Sequence, residues 1–304
     1  EYMQQGLFRA ITREIDRDDI LSSLVGYSSQ VPNQELARLG SLHGDLATLD
    51  LSEASDRVSS LHVSLMLRNH RHLHDGVFAC RSLKADVPDR GVIPLSKFAS
   101  MGSALTFPIE SLVFMTLVFV GIERSLSRQL TKEDVKSFLG LVRVYGDDII
   151  VPVEHVESVV STLESFGLKV NSRKSHWNGK FRESCGKDYF NGYDVSVTRI
   201  RSLIPTHRSD VPEIISTVST RNLLYKQGMW NTCEYLDDVL GGLIPYPVVA
   251  DTSPVLGRVS FLGYEVQREH QHLHAPLVKG MVVIGRPPKS PLEDYAALLK
   301  CLSS

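Results

Sequence analysis

Apolar positions in the first two dozen residues recur at helical spacing: Met3, Leu7, Phe8, Ile11 and Ile15, then Ile20, Leu21 and Leu24. Val31-Pro32-Asn33 interrupts them, and Asn33 is placed to cap a short helix over 34–39 that Gly40 ends. Over 46–51 the pattern changes to a buried strand with Asp50 at its end. Ser52 or Ser55 then caps a helix over 56–68. Residues 84–98, with Pro88, Gly91 and Pro94, read as an insertion with short strands. The most apolar run, Ser111 to Ile122, is bracketed by Glu110 and Glu123. It is shorter than the roughly 20 residues a bilayer crossing needs, so it predicts a buried helix over 107–124, with Pro108 in its first turn. Thr131-Lys132-Glu133-Asp134 is a capping sequence for a short connector.

Two β-branched runs, 142–145 and 149–152, flank Tyr145-Gly146-Asp147-Asp148 and predict a tight hairpin. A helix over 154–166 follows and Gly167 ends it. Next come a strand over 168–171, a basic loop over 172–176, and two short strands with a turn within 181–195. Residues 210–240 look helical, with Leu223, Leu224, Met229, Trp230, Tyr235 and Leu236 available for burial. The remainder is irregular with short strands. The fold class is α+β: an antiparallel sheet of 46–51, 142–145 and 149–152, backed by the helices at 107–124 and 154–166.

Composition adds little. The chain has 304 residues, 42% hydrophobic and 22% charged, with a formal net charge of -2, so bulk charge does not announce a nucleic-acid binder. Cys80, Cys185, Cys233 and Cys301 are widely spaced and form no paired-ligand motif, as expected of reduced cytoplasmic thiols. His70, His72, His74 and Cys80 lack a matching half-site for zinc and read as a solvated loop. His270, His272 and His274 read as one face of an exposed strand. No signal peptide is visible. The first residue is Glu1, within a helical pattern, which suggests a piece of something longer.

The candidate chemistry is acidic. Two adjacent carboxylates at a turn repel each other, and hard oxygens of this kind suit magnesium or manganese. On its own such a hairpin is more often a surface turn with solvated acids than a site. Asp50 stands at a strand end before a turn and a helix, an address for a metal ligand, though helix starts also favour acids. Ser100 to Thr106 is a small-residue loop that lets a backbone approach a ligand closely.

The order of these pieces resembles the palm of a template-directed RNA polymerase, and is most similar to the replicases of the leviviruses, positive-strand RNA bacteriophages. Ala47-Thr48-Leu49-Asp50-Leu51-Ser52-Glu53-Ala54-Ser55-Asp56 resembles the first palm motif. Ser100-Met101-Gly102, Thr106-Phe107 and Glu110-Ser111 resemble the second, and Tyr145-Gly146-Asp147-Asp148 the third. Gly167, Asn171 and Arg173-Lys174 resemble the fourth, and Phe181 to Gly186 the segment beyond it.

The resemblance implies a right-hand polymerase fold. Residues 1–45 would be a remnant of the fingers, too short for a full fingers domain, with Arg9, Arg13 and Arg17. Residues 46–200 would be the palm with a fingers-side insertion near 70–98, and 201–304 a mostly helical thumb and C-terminal region. The implied activity is RNA-directed RNA polymerisation with two Mg2+ or Mn2+ ions. Asp50, Asp147, Asp148 and the Leu51 backbone carbonyl would be the ligands, and Lys174 the proton donor to pyrophosphate, with Lys169 the second choice. Asp56, Gly102, Ser103 and Thr106 would form the ribose pocket, and Tyr145, Arg182 and Lys187 would contact RNA. Ser103 and Ala104 depart from the Asn-Gly the family often carries there. The implied partners are RNA template and product, ribonucleoside triphosphates, host translation elongation factors and a ribosomal protein, in host bacterial cytoplasm with no membrane role. A reverse transcriptase palm and a non-enzymatic RNA-binding module are the rivals. Small Ala54 and Ser55, with Asp56 able to accept from a 2′-hydroxyl, favour ribonucleotides.

Overall fold

The computed structural model describes residues 2–285 and 294–303. The part of the expected thumb at 286–293 and at 304 therefore lies outside the described residues. The chain divides into two units, Glu1–Val197 and Thr198–Ser304.

The first unit opens with helices α1 (Tyr2–Arg17), α2 (Leu21–Leu24) and α3 (Val31–His43). Helix α3 starts earlier and ends later than its sequence suggests. Pro32 sits in its first turn, where a missing N–H costs nothing, and Gly44, not Gly40, closes it in a left-handed conformation. Asn33 is consequently a buried helical residue rather than a cap. Strand β1 (Leu46–Leu49) follows, then α4 (Ala54–Arg57), α5 (Ser60–Leu67) and α6 (Arg71–Ala79). The single helix expected over 56–68 is thus two, because Ser59 is extended and its hydroxyl accepts from Leu61 N to cap α5. His72 and His74 lie on α6, not in a loop; His74 stacks on Phe78 at 4.4 Å.

The insertion forms the hairpin β2 (Lys84–Val87) and β3 (Gly91–Pro94). Helix α7 (Thr106–Leu126) is longer than the apolar run inside it. By length and composition α7 could cross a membrane, but Ile109, Val113, Phe114, Leu117, Val118 and Ile122 are buried in the core of this unit. Helix α8 (Lys132–Ser137) carries the expected capping box between Thr131 and Asp134. Strands β4 (Arg143–Tyr145) and β5 (Asp148–Pro152) form the hairpin, and α9 (Val156–Ser165) packs along α7. A Cβ on Gly121 would fall 2.7 Å from the Val159 Cα, so that residue sets how closely α7 and α9 approach. Strands β6 (Phe181–Ser184), β7 (Lys187–Phe190) and β8 (Tyr193–Asp194) form a second antiparallel sheet.

The central sheet has the order β1-β5-β4, antiparallel throughout, with Leu46 opposite Pro152, Leu49 opposite Ile149 and Tyr145 opposite Asp148. Every β1 residue is buried, because the sheet is covered on both faces. Ala47, Leu49, Ile149 and Val151 join the main core with α7 and α9. Leu46 and Ile150 meet Ala37 of α3 and Tyr189 of β7 on the other face. Residues 168–176 run beside β1 with few backbone bonds: Ser52 N to Lys169 O, Asn171 N to Asp50 O, and the reciprocal pair between Thr48 and His176. The expected strand over 168–171 is therefore only a bridge at Val170.

The second unit contains α10 (Val211–Lys226) and α11 (Trp230–Leu243), broken at Gly228. Ile214, Val218, Leu240 and Ile244 form its core, whereas Leu223, Met229, Trp230 and Tyr235 are exposed, contrary to their sequence reading. Short strands β9 (Val255–Leu256), β10 (Arg268–Glu269), β11 (Pro276–Leu277) and β12 (Met281–Val282) pair β9 with β12 and β10 with β11; α12 (Asp294–Ser303) follows. Among the described residues the unit is thus helical over Val211–Lys226, Trp230–Leu243 and Asp294–Ser303, with only two-residue strands in the irregular chain between the last two helices. His270 sits at the turn joining β10 to β11, its Nδ1 accepting from His272 N and Leu273 N, so the three histidines do not share a strand face.

Candidate active site

The Tyr145–Asp148 pairing leaves a two-residue turn, Gly146-Asp147. Gly146 has φ 60°, which the first central position of a type II′ hairpin turn requires. A Cβ there would lie 2.5 Å from the Phe107 ring, and Ser111 Oγ accepts from Gly146 N at 3.1 Å. Helix α7 therefore holds the turn from behind. The Phe107 ring also meets the Tyr145 ring edge-on at 5.1 Å.

The register of β1 on β5, continued by one residue, sets Asp50 opposite Asp148. Asp50 is fixed from the neighbouring loop. Ser175 Oγ accepts from its backbone N at 3.0 Å, Asn171 Nδ2 donates to its Oδ2 at 3.1 Å, and Lys174 Nζ stands 3.9 Å from its Oδ1. Asp148 Oδ1 accepts from Ser184 Oγ at 3.2 Å and from Cys185 N at 3.1 Å. The bonds bridging Leu51 to Val170 use the Asp50 and Lys169 carbonyls and not that of Leu51.

Burial pushes the Asp50 carboxyl above its ordinary range; Lys174 and Asn171 pull it back, and Asp148 pushes it further up. Asp147 emerges at the surface, yet the protein around it raises its carboxyl too. The carboxylates of Asp148 and Asp50 act in the same direction, opposed by a backbone hydrogen bond and Lys174. Glu110, on α7, is pushed up to about 8 by burial and then by the charge of Asp147. It is 7% exposed, and its Oε2 has no hydrogen-bond partner among the described residues. Glu183 is raised by burial and by Asp188, its partner across β6 and β7.

Among the described residues no three His, Cys, Asp or Glu side chains converge closely enough to hold an ion as they stand. The donor chemistry nevertheless fits a hard divalent cation. The groups are all oxygens, they repel one another, and one buried carboxyl oxygen is unpartnered.

Asp50, Asp147, Asp148 and Lys174 are therefore brought together at one end of the central sheet. The other expected site residues are placed differently. Asp56 lies on α4, paired with Lys97 Nζ at 2.7 Å. Gly102 and Ser103 line a cavity of about 220 Å3 with Gln4, Arg81 and Met101. Thr106 is buried and donates its hydroxyl to Ser100 O at 2.8 Å, so it fastens the loop and does not offer that proton to a sugar. Arg182 is wholly buried, with its guanidinium donating to the carbonyls of Leu46, Gly179, Phe181 and Trp177. It is structural and out of reach of RNA. Lys187 pairs with Asp194 at 2.6 Å. Among the supports, Glu110, Asn171 and Ser184 stand out in the sequence only as members of motif segments, and Ser175 and Lys97 carry no signal beyond their polarity.

A family model described as RNA replicase, beta-chain, matches residues 3–230. The chain is 36% identical over 217 residues to the RNA-directed RNA polymerase subunit beta of Qbeta virus (strain MX1), covering 69% of this chain and 33% of that protein. It is 31% identical over 280 residues to the RNA-directed RNA polymerase beta chain of Enterobacteria phage fr, covering 92% and 45%. It is 34% identical over 194 residues to that of Escherichia phage MS2, covering 64% and 32%. The chain thus spans from about a third to just under half of the length of these relatives. A solved structure of telomerase from Candida albicans, in complex with a telomeric RNA fragment, aligns at TM-score 0.48 and 15% identity over 73% of this chain and 41% of that one. That likeness is too slight to bear on function.

Proposed function

The chain belongs to the RNA replicase beta-chain family, and from that premise we propose that it forms the palm of an RNA-dependent RNA polymerase copying a phage RNA genome. The observation that carries this reading is the meeting of Asp50, Asp147 and Asp148 at one sheet end, with the surrounding protein and mutual repulsion raising Asp50 and Asp147. Residues 46–200 are the palm with its insertion near 70–98, 1–45 belong to the fingers, and 201–304 to the thumb side.

Asp50, Asp147, Asp148 and the Leu51 carbonyl are the groups that would hold two divalent cations, Mg2+ or Mn2+. When bound, such ions lower the pKa of the attacking 3′-hydroxyl and offset charge on the leaving pyrophosphate. The chain's own groups do the rest. Asn171 and Ser175 hold Asp50 in place. Lys174, more than half exposed beside Asp50, would protonate the departing pyrophosphate. Asp56 accepts a hydrogen bond from the ribose 2′-hydroxyl, and the backbone of Gly102 and Ser103 lies against the nucleotide. RNA template and product and ribonucleoside triphosphates are the substrates. Host translation elongation factors and a ribosomal protein are its partners, in the cytoplasm of the infected bacterium.

Asp147→Asn tests the assignment. Nucleotide addition by the assembled replicase should fall by at least about 10²–10³-fold, the scale of losing one group that stabilises transition-state charge. The rise in Tm that magnesium gives the parent should shrink with it. Unchanged polymerisation would overturn the reading, and a clear preference for deoxyribonucleotides on an RNA template would return the reverse transcriptase alternative.

A further inference from the structure

The segment after the β2–β3 hairpin is tied to the start of α5. Ser60 N donates to Ser96 O at 2.9 Å, Phe98 N donates to Val58 O at 2.7 Å, and Ser59 bridges Lys97 in antiparallel fashion. Arg81 clamps the same segment from the other side, its guanidinium donating to the carbonyls of Leu95, Lys97 and Phe98. Phe98 is buried beside Phe78. The backbone of Lys97 is thus held on both sides without help from its side chain.

That side chain reaches Asp56, with Nζ 2.7 Å from Oδ1. The pair is partly exposed, at 28% for Lys97 and 56% for Asp56, so its contribution to stability is small. The neighbouring cation, Arg57, turns instead to Glu53 at 2.8 Å. No described side chain donates to Asp56 Oδ2. The arrangement fixes the carboxylate by one oxygen and leaves the other open to a hydroxyl donor.

We propose that Lys97 is a positioning residue for sugar selection, orienting Asp56 so that its free oxygen meets the 2′-hydroxyl of the incoming ribonucleotide. This rests on the polymerase reading and on the ribose role of Asp56 within it. In this role Lys97 acts through Asp56. The 84–98 insertion thereby gains a purpose, delivering one ammonium group to the first acidic motif.

The experiment measures kcat/KM for a ribonucleotide and its 2′-deoxy counterpart in the assembled replicase. The parent, Lys97→Met, Lys97→Arg, Asp56→Asn and the double variant are compared. Lys97→Met should cut the ribose preference about 3- to 10-fold, the worth of one net hydrogen bond, through a higher KM for the ribonucleotide alone. Lys97→Arg should restore most of it, and the double variant should select no worse than Asp56→Asn. Thermal melting of Lys97→Met should match the parent closely. If Asp56→Asn leaves sugar selection intact, the ribose reading falls and takes this inference with it. If Asp56→Asn weakens selection while Lys97→Met does not, or if Lys97→Met slows both sugars equally, only the role of Lys97 is overturned.

Discussion

The molecule treats its buried cations and its crowded anions in opposite ways. Arg182 in the first unit and Arg221 in the second are both almost fully buried, and each is satisfied by the protein itself. Arg182 donates to four backbone carbonyls. Arg221 forms a two-pronged pair with Asp237, at 2.7 Å on each prong, donates to Val259 O, and lies 4.8 Å from the Tyr225 ring centre. The carboxylates at the sheet end are provided for less fully: Asn171 reaches Asp50, and Ser184 and Cys185 reach Asp148, but no cation sits in close contact with them among the described residues. Asp50, Asp147 and Glu110 are all raised, and Lys174, loosely placed 3.9 Å from Asp50, does not offset the burial that raises it. Charges that serve the fold are paired within it. Charges left at odds with one another need something from outside, and a divalent cation is the simplest candidate.

Removing a charge should therefore destabilise one region and relieve the other. Arg182→Ala is expected to have the largest effect on folding, a loss of about 3–5 kcal/mol, from a large buried side chain and the carbonyls it leaves bare. Chemical denaturation of the variant checks it. A loss under about 1 kcal/mol would show that water replaces the guanidinium, and would reopen Arg182 to another role.

Glu110→Gln should act the other way, and only at high pH. With its carboxyl raised to about 8 in the fold, Glu110 binds a proton in the native state that the unfolded chain gives up near 4.5. Parent stability therefore falls as pH climbs from about 4.5 to about 8, and the penalty is complete above that. Glutamine has no such proton to lose. The variant should match the parent near pH 4 and exceed it by about 2–4 kcal/mol near pH 9. Magnesium, by neutralising Asp147, should narrow that gap. A gap that does not change between the two pH values would place Glu110 in ordinary solvent and dissolve the contrast with Arg182.

These cases also show what could be read from residues alone. The central sheet was legible because β-branched runs and a Gly-Asp turn are local signals, and the three strands follow from them. The position of Asp50 beside the hairpin was legible because it ends a strand. Arg182 was misread because an arginine in a motif looks identical whether it faces RNA or four carbonyls; only the chain folding back over β1 decides. Thr106 was misread for the same reason, since its partner Ser100 lies across a loop whose shape the sequence does not state. Helix ends moved where one residue was weighed against its neighbours. Asn33 is a good cap by type, but Pro32 before it is a better first-turn residue. Lys97 was illegible because its place depends on a pairing between segments almost forty residues apart.

The smallest expected effect lies where the two kinds of region meet. Ser184 is 1% exposed on β6, two residues from Arg182, and its hydroxyl donates to Asp148 Oδ1. It belongs to the paired interior by burial and to the acidic end by its partner. Ser184→Ala removes one of the two donors to that oxygen and leaves Cys185 N. Stability should change by about 1 kcal/mol or less, since the orphaned acceptor keeps one bond. Magnesium affinity, followed by the magnesium-dependent rise in Tm, should weaken by about tenfold if the hydroxyl orients Asp148 toward the cation. Equal affinity in the two proteins would mean that the backbone amide alone sets the carboxylate. The boundary between self-satisfied and cation-dependent charge would then lie between Ser184 and Asp148, rather than through the hydrogen bond that joins them.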